Sequence, residues 1–474
     1  MTTSTSPAAP TVAETLSQAI VDLRYEDLPP EVIAKAKACV LDNLGLALGG
    51  FDSNAARAVR AVLKDMGATG TVQVLGDDLR LPANLAALAN GTQCHSNDFT
   101  DTILKTVIHC GPAVVPAALA MTQRQRLDGK SLILLTVIGY EVAGRVAAAI
   151  NSKPAMMHHK KGFHATSTCG VFGTAALAAR ALGLSADRMA DALGHAGSSS
   201  SGLIESITGP TGADTFRSHP GKAAHDGILA ALYAQQGMTG PHTVFEGRDA
   251  FLHAYSDGDR YTLEPLQRRM GEAFQILDVA VKFHNGTHAI ASGVDAMLAI
   301  TGEHSLDIDR VSEIEVRVPK MHAYIGGDDQ EALYRPPNYS KAQMSLPFAL
   351  ATAITRGELF LDQYTEAALA DAATLGFARK VRVIADPQMD EMLNAGKWPA
   401  SVRVTMTDGT RLTGGVDFPK GSPQNPLSAE QHQRKFRRLS EKRIDNARCD
   451  AIIALVDDLE SLADVETLTS KLVP

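Results

Sequence analysis

Cysteine is scarce and never paired in sequence. The five cysteines (Cys39, Cys94, Cys110, Cys169, Cys449) include no CxxC, and their number is odd. A structural zinc knuckle, a dithiol redox motif and a secreted disulfide framework are thereby disfavoured, and a reducing cytoplasm is the expected compartment. No long basic run occurs either. Lys+Arg total 45 against Asp+Glu 53, a net charge of -8, which argues against bulk binding to nucleic acid or to an anionic membrane. Nucleotide-binding signatures are absent, with no GxGxxG after a strand and no GxxxxGK[ST], and a serine hydrolase would need a GxSxG that is also missing. His284 and His288 have the HxxxH spacing of a zinc helix, but Gly286 interrupts it and Asn285 stands where the general-base glutamate would be, so no metal site is expected. Residues 1–12 are rich in Ser, Thr, Ala and Pro without an apolar run, and read as a frayed tail rather than a signal peptide. The most membrane-like stretch, 132–150, carries Glu141 and Arg145 four residues apart, a pair for one helix face, and is read as a buried helix rather than a span.

What the chain does have is a core. Hydrophobic residues make up 45% of 474, enough at roughly 100–200 residues per domain for two to four domains. The first half is Ala- and Leu-rich with helical spacing. Pro29 and Pro30 suit a helix start, Val32, Ala36, Val40 and Leu44 recur one turn apart, and Gly49-Gly50 offer a left-handed end. A helix is expected over 167–182, stopped at Gly183, with Ser185 capping the next over 186–193. Alanine-rich helices of this kind imply a large, closely packed helical body.

The texture changes after about residue 275. Residues 311–318 and 380–384 alternate like strands, and 401–407 meets 410–413 across Asp408-Gly409, a strong hairpin signal. Helical segments around 295–301 and 345–355 lie between them, giving a smaller α+β unit. The charged, helical tail ends in an amphipathic stretch over 451–472, expected to pack back on the helical body. The reading is mainly α with an α+β second domain: tail 1–12, helical domain 13–274, α+β lid 275–415, and a returning segment 416–474.

Four segments set polar residues and glycines inside apolar surroundings: 93–102 with 109–112, 160–168, 209–222 and 282–288. Each joins a histidine or lysine to small residues, a mixture suited to moving protons and holding carboxylates. Singly, a histidine at a helix start is a cap or a satisfied core residue, and a lysine beside glycine a solvated loop residue. Four such segments together point to a site.

In this order the segments resemble the MmgE/PrpD family. DFTDT at 98–102 with HCGP at 109–112 resembles its DFDDT and HPS-type segments, and GFHATST at 162–168 its helix entrance. AQMSLPF at 342–348 and PKGSPQNPLS at 419–428 with Lys435-Phe436 match later signatures, so that the likeness spans about 13–460. The resemblance implies a helical domain with an α+β lid, a homodimer, and cofactor-free chemistry on a small di- or tricarboxylate in the cleft between domains. Family members include 2-methylcitrate dehydratases, cis-aconitate decarboxylases and iminodisuccinate epimerases. Carried over by motif, Asp98, Thr102, His109, His164 and Lys282 fall on active-site positions. His109 would transfer the proton, His164 would sit at a helix N-terminus, Lys282 would reach in from the lid to hold a substrate carboxylate, and Asp98 would orient a histidine or bind a hydroxyl. Arg217, His219 and Lys222 complete the expected substrate-binding set with Thr102. Two departures stand out. Phe216 replaces the lysine of the family's TKxxH, and Phe348 a tyrosine, which counts against decarboxylation of cis-aconitate and leaves a more apolar pocket. The expected activity is a hydro-lyase of the 2-methylcitrate dehydratase kind. The rivals are an epimerase, a decarboxylase and a catalytically silent binding member.

Overall fold

The computed structural model describes residues 9–151, 156–209, 213–256, 260–304, 306–323, 325 and 330–474. The first helix overlaps the end of the expected tail. Helix α1 (Val12–Asp22) opens on a capping box in which Thr11 accepts from the Glu14 amide and the Glu14 carboxylate accepts from the Thr11 amide. Residues 1–8 of the expected tail lie outside the described residues. Helix α2 (Pro30–Gly49) starts on a proline, whose missing N–H is no loss at that position. The glycine after it is not left-handed as expected. Gly50 has φ -94 and ψ -2, and a Cβ there would sit 2.0 Å from the Gln93 carbonyl, so a close backbone approach is what requires glycine.

The helical body continues through α3 (Ala83–His95), the two-residue strand β1 (Thr102–Ile103), α4 (Gly111–Gln125) and α5 (Gly129–Asn151), then α6 (Gly170–Ala181), α7 (Ala186–Ser199) and α8 (His219–Gln235). Helix α5 is buried over nearly its whole length. Its two buried charges satisfy each other inside the protein: Arg145 Nε meets Glu141 at 2.6 Å, and Glu141 also accepts from the Gln275 amide. The helix expected over 167–182 is divided at Cys169 into Ala165–Thr168 and α6, and Gly183 follows with φ +66. Ser185 caps α7 as expected, through the Arg188 amide, and α7 runs on to Ser199. Helices α3 and α8 cross at glycines. A Cβ on Gly91 would lie 2.7 Å from the Gly221 Cα, so only two glycines allow the crossing that sets the end of α3 beside the start of α8.

A second antiparallel pair of residues, β2 (Val279–Ala280), binds β1. The α+β domain then comprises α9 (His288–Glu303), β3 (Val311–Val318), α10 (Leu346–Arg356), β4 (Val381–Ala385), β5 (Ala400–Met406) and β6 (Arg411–Val416). Its sheet runs β4-β3-β5-β6, parallel only between β3 and β4. The Asp408-Gly409 turn joins β5 to β6, with Gly409 at φ +86. Ala400, Val402 and Val404 face inward at alternate positions and pack with Ile290, Val294, Leu346 and Leu350 of the covering helices.

Two cores result. The first includes Val12 to Val281, then Phe360, and the second runs from Ile290 to Val404. The change therefore comes after Val281, later than the texture change at 275, because β2 is zipped to β1 and keeps the chain on the helical body. Helices α11 (Ala429–Ser440) and α12 (Asn446–Asp457) return to the first core through Phe436, Ile452 and Val456. The expected amphipathic stretch over 451–472 packs on the helical body as anticipated, as a helix to Asp457 and short helical turns beyond it.

Candidate active site

The β1–β2 pair assembles the first half of the site. Thr102 is opposite Ala280, so Lys282, two residues further along, comes to Asp98, four residues before Thr102. Lys282 Nζ lies 2.8 Å from Asp98 Oδ1 and 2.9 Å from the Asp98 carbonyl, both side chains buried. Asp98 holds φ +49, a left-handed conformation that aspartate tolerates better than most residues. Burial raises the Asp98 carboxyl, but the neighbouring Lys282, Arg217 and His109 outweigh it, and the net shift is below the usual carboxylate value. Burial likewise lowers the Lys282 ammonium against the opposing pull of Asp98. Lys282 was expected to approach from the lid. It stands on the helical side of the boundary instead, since Val281 belongs to the first core.

A tight loop from Ile103 to Ile108, with Val107 at φ +53, then turns the chain so that His109 points back over β1. A β-branched residue in that region is strained, and here it sits two residues from an imidazole. His109 Nδ1 lies 2.6 Å from the Asp101 carbonyl, 2.9 Å from Thr102 Oγ1 and 3.3 Å from Thr100 Oγ1. A carbonyl can only accept, so Nδ1 carries the proton and Nε2 keeps its lone pair. Behind it, the Asp101 carboxylate accepts from the Gly111 amide at 3.0 Å and from the Tyr140 hydroxyl, and burial lifts its pKa to about 6. His109 is partly exposed, and burial with the Lys282 charge lowers its pKa to about 4.

The α3–α8 crossing supplies the second half. His164 precedes the turn that leads into α6, and its Nδ1 lies 2.9 Å from Nδ1 of His219, the first residue of α8. His95 ends α3. Its ring centroid is 5.3 Å from that of His109 and 6.1 Å from that of His164, which are 6.4 Å apart, a triangle of imidazoles. Burial holds His95 and His164 well below the ordinary histidine value and His219 at about 4, so the cluster is neutral near pH 7.

Arg217 is fully buried beside this triangle. Its guanidinium donates to Gln343 Oε1 at 2.8 Å, to Ser340 Oγ at 3.2 Å and toward the His95 carbonyl at 3.5 Å. It also lies 4.1 Å from the centroid of the Phe216 ring, and its Nε has no hydrogen-bond partner. Among the described residues no carboxylate lies within ion-pair distance of it. Gln343 comes from the lid and also donates to the Asn97 carbonyl and to Asn285, so Arg217 stands where the two domains meet.

The structure thus brings together Asp98, Lys282, Thr102, His109, His164, His219 and Arg217. Lys222 does not join them. It pairs with Asp226 one turn along α8, and its side chain is 44% exposed. Thr102 is not free for a substrate as expected, because its single hydroxyl bridges His109 and His288 Nδ1 at 3.1 Å. His219 is likewise engaged with His164. His284 faces Asp295 at 2.8 Å while His288 opens α9, so the two do not share a helix face. Phe216 stands edge-on to His95 at 5.8 Å, lining the cluster, whereas Phe348 is packed in the second core with Tyr364 and leaves the cluster's polarity to others. Of the segment 209–222, residues 210–212 lie outside the described residues. Sequence reasoning passed over His95, Thr100, Asp101 and Gln343. The first three lie within the segment 93–102, and their chemistry there was a usable signal.

The chain is similar to known proteins along most of its length. A family model described as the MmgE/PrpD N-terminal domain matches residues 14–264, and one described as the MmgE/PrpD C-terminal domain matches 284–461. Among curated proteins, the chain is 28% identical to a cis-aconitate decarboxylase of Mus musculus, over 97% of this chain and 92% of that protein. It is 25% identical to a cis-aconitate decarboxylase of Aspergillus terreus, over 94% and 93%. It is 24% identical to the cis-aconitate decarboxylase-like protein oryM of Aspergillus oryzae, over 99% and 98%.

Proposed function

The chain belongs to the MmgE/PrpD family, and on that premise we propose that it is a cofactor-independent lyase acting on a small polycarboxylate, by proton removal from the carbon next to a carboxylate. The observation that carries this reading is Arg217, a buried guanidinium among neutral imidazoles with no carboxylate at ion-pair distance among the described residues, its anionic neighbour Asp98 being already paired with Lys282. An uncompensated buried charge is strongly unfavourable. A carboxylate answers it with a paired charge and a charge-assisted hydrogen bond from the unpartnered Nε–H.

The charge count narrows the substrate. Lys282 is ion-paired with Asp98 and the imidazoles are neutral, so Arg217 is the cation left to meet a ligand. One carboxylate is met by Arg217, and a second reaches Lys282 in competition with Asp98. A third would face Phe216, where the family lysine is missing. The fitting substrate is a hydroxy-dicarboxylate or one with an apolar arm. His109 Nε2 removes the α-proton, and Lys282 and Arg217 damp the charge that builds on the adjacent carboxylate. The β C–O bond then breaks as the hydroxyl takes up the proton returned by the His109 imidazolium and leaves as water, which makes the reaction a dehydration. Decarboxylation is the second reading, favoured by the names of the relatives.

Proton NMR in deuterium oxide with a panel of malate, alkyl-substituted malates, methylcitrate, citrate and cis-aconitate tests the proposal. New vinyl signals from a hydroxy acid support dehydration, and a new vinylic product from cis-aconitate with loss of carbon dioxide supports the second reading. Absence of both turnover and α-proton exchange across the panel overturns both.

A further inference from the structure

The hydroxyl of Thr100 lies between two imidazoles, 3.2 Å from His95 Nδ1 and 3.3 Å from His109 Nδ1. The proton inventory has one consistent solution. His109 Nδ1–H goes to the Asp101 carbonyl, which has no proton of its own. Thr100 Oγ1 can therefore only accept at His109. Its oxygen could accept from both rings, but the residue is fully buried and His95 Nδ1 is the one acceptor for its proton among the described residues, so the proton goes there. His95 Nδ1 is then an acceptor, and in a neutral imidazole the ring proton must sit on Nε2. The two facing rings are held in opposite tautomers. His109 offers a lone pair at Nε2, and His95 offers an N–H there. The hydrogen bonds that both rings make among the described residues run through Nδ1, leaving both Nε2 atoms for a ligand.

We infer that His95 is a further catalytic residue of this site, a hydrogen-bond donor through Nε2–H to the substrate carboxylate on which negative charge develops when His109 removes the α-proton. The proton stays on His95 throughout. The bond that breaks is the substrate C–H, its proton passes to His109 Nε2, and the electron pair moves into the adjoining carboxylate. Three features suit His95 to that task. It is 1% exposed, so its donor acts in a water-poor setting. Burial foremost, with the nearby imidazoles and the Arg217 and Lys282 charges, keeps it from taking up a second proton, so it stays a donor at Nε2 and an acceptor at Nδ1. Phe216 stands edge-on to the ring and fixes its plane at 90°. A lysine in place of Phe216 would set a charge against this imidazole, so its loss and the use of His95 as a neutral donor belong together.

The inference rests on the lyase reading for its activity test but not for its structural one. Selective 15N-histidine labelling and long-range 1H–15N correlation of the unliganded protein, with His95→Gln to assign the resonance, reads the tautomers directly. The expected result is Nε2–H for His95 and Nδ1–H for His109. An Nδ1–H tautomer or a protonated ring at His95 overturns the inference whatever the substrate. On a substrate found by the NMR panel, His95→Ala should lower kcat by roughly 10²–10³-fold, the usual effect of removing one such donor, with little change in KM. His95→Gln, which keeps an N–H donor but cannot exchange protons, should recover at least tenfold of that loss and leave the acid limb of the pH profile in place. Equal losses in the two variants would mean proton transfer or packing and would overturn the inference, as would no loss in either. Should the alanine variant fail to fold, the tautomer measurement decides alone.

Discussion

Replacing Arg217 by glutamine removes the buried guanidinium while keeping an amide able to reach Gln343 or Ser340 across the domain junction. If Arg217 binds a substrate carboxylate, the variant leaves that carboxylate desolvated without its partner. Breaking a buried charge pair by removing one member costs about 3–5 kcal/mol. At 1.36 kcal/mol per tenfold, that is a fall in kcat/KM of roughly 150- to 5,000-fold. Arg217→Lys restores the charge but not the planar fork, and is expected to fall between wild type and glutamine. The assay compares kcat/KM for the substrate and for an analogue in which one carboxylate is a carboxamide. Wild type should discriminate between them by the same factor that Arg217→Gln loses, and the variant should hardly discriminate. An equal loss on both compounds would refute the reasoning, for then Arg217 would act by holding Gln343 and the two domains together and not by binding an anion.

Other expectations follow from the same geometry. His109→Ala should abolish both turnover and α-proton exchange, by roughly 10²–10⁴-fold, with the fold checked by circular dichroism. Because His109 titrates near 4 and not near 6.5, its base form persists as pH falls, and kcat/KM should decline only as pH drops through about 4. A limb centred near 6.5 would contradict the burial argument. Lys282→Met should lower stability by about 3–5 kcal/mol by orphaning Asp98, whereas the double variant Asp98→Asn/Lys282→Met should lose much less than the sum of the singles in urea unfolding. Since Asp98 is held below its ordinary value of 3.8, the stability it contributes is present above that pH and is lost as pH falls through its lower folded value. Gly91→Ala should cost about 1–3 kcal/mol and lower Tm, because its Cβ would lie 2.7 Å from the Gly221 Cα and 2.8 Å from the Pro112 carbonyl.

Local chemistry was readable before any coordinates. Pro30 at a helix start, Ser185 as a cap, the Asp408-Gly409 hairpin and the alternation of 311–318 are each governed by residues within a few positions of one another. So was the helical body with its α+β companion, because period and composition change together. The family resemblance, motif by motif, named Asp98, Thr102, His109, His164 and Lys282, with Arg217 beside its missing lysine, and each stands in a short segment whose composition is out of keeping with a core.

Distance across the fold was not readable, and it decided the roles. Gly50 looked like a left-handed stop, but contact with Gln93, 43 residues away, is what requires it. Lys282 looked like a lid residue until a two-residue strand pair tied its segment to β1. Lys222 stands three residues from His219, yet helical rotation turns it toward Asp226, and the Thr102 hydroxyl is shared by His109 of the helical body and His288 at the start of the α+β domain. His95 had no partner in sequence, and only the crossing of α3 and α8 at Gly91 and Gly221 sets it among the imidazoles. The sequence by itself determined which segments could form helices, strands and turns, and which held groups able to move protons. Tertiary structure alone decided which of those groups meet, which proton each ring carries and which charge is left unanswered, because hydrogen bonding and desolvation depend on ångströms between elements far apart in the chain.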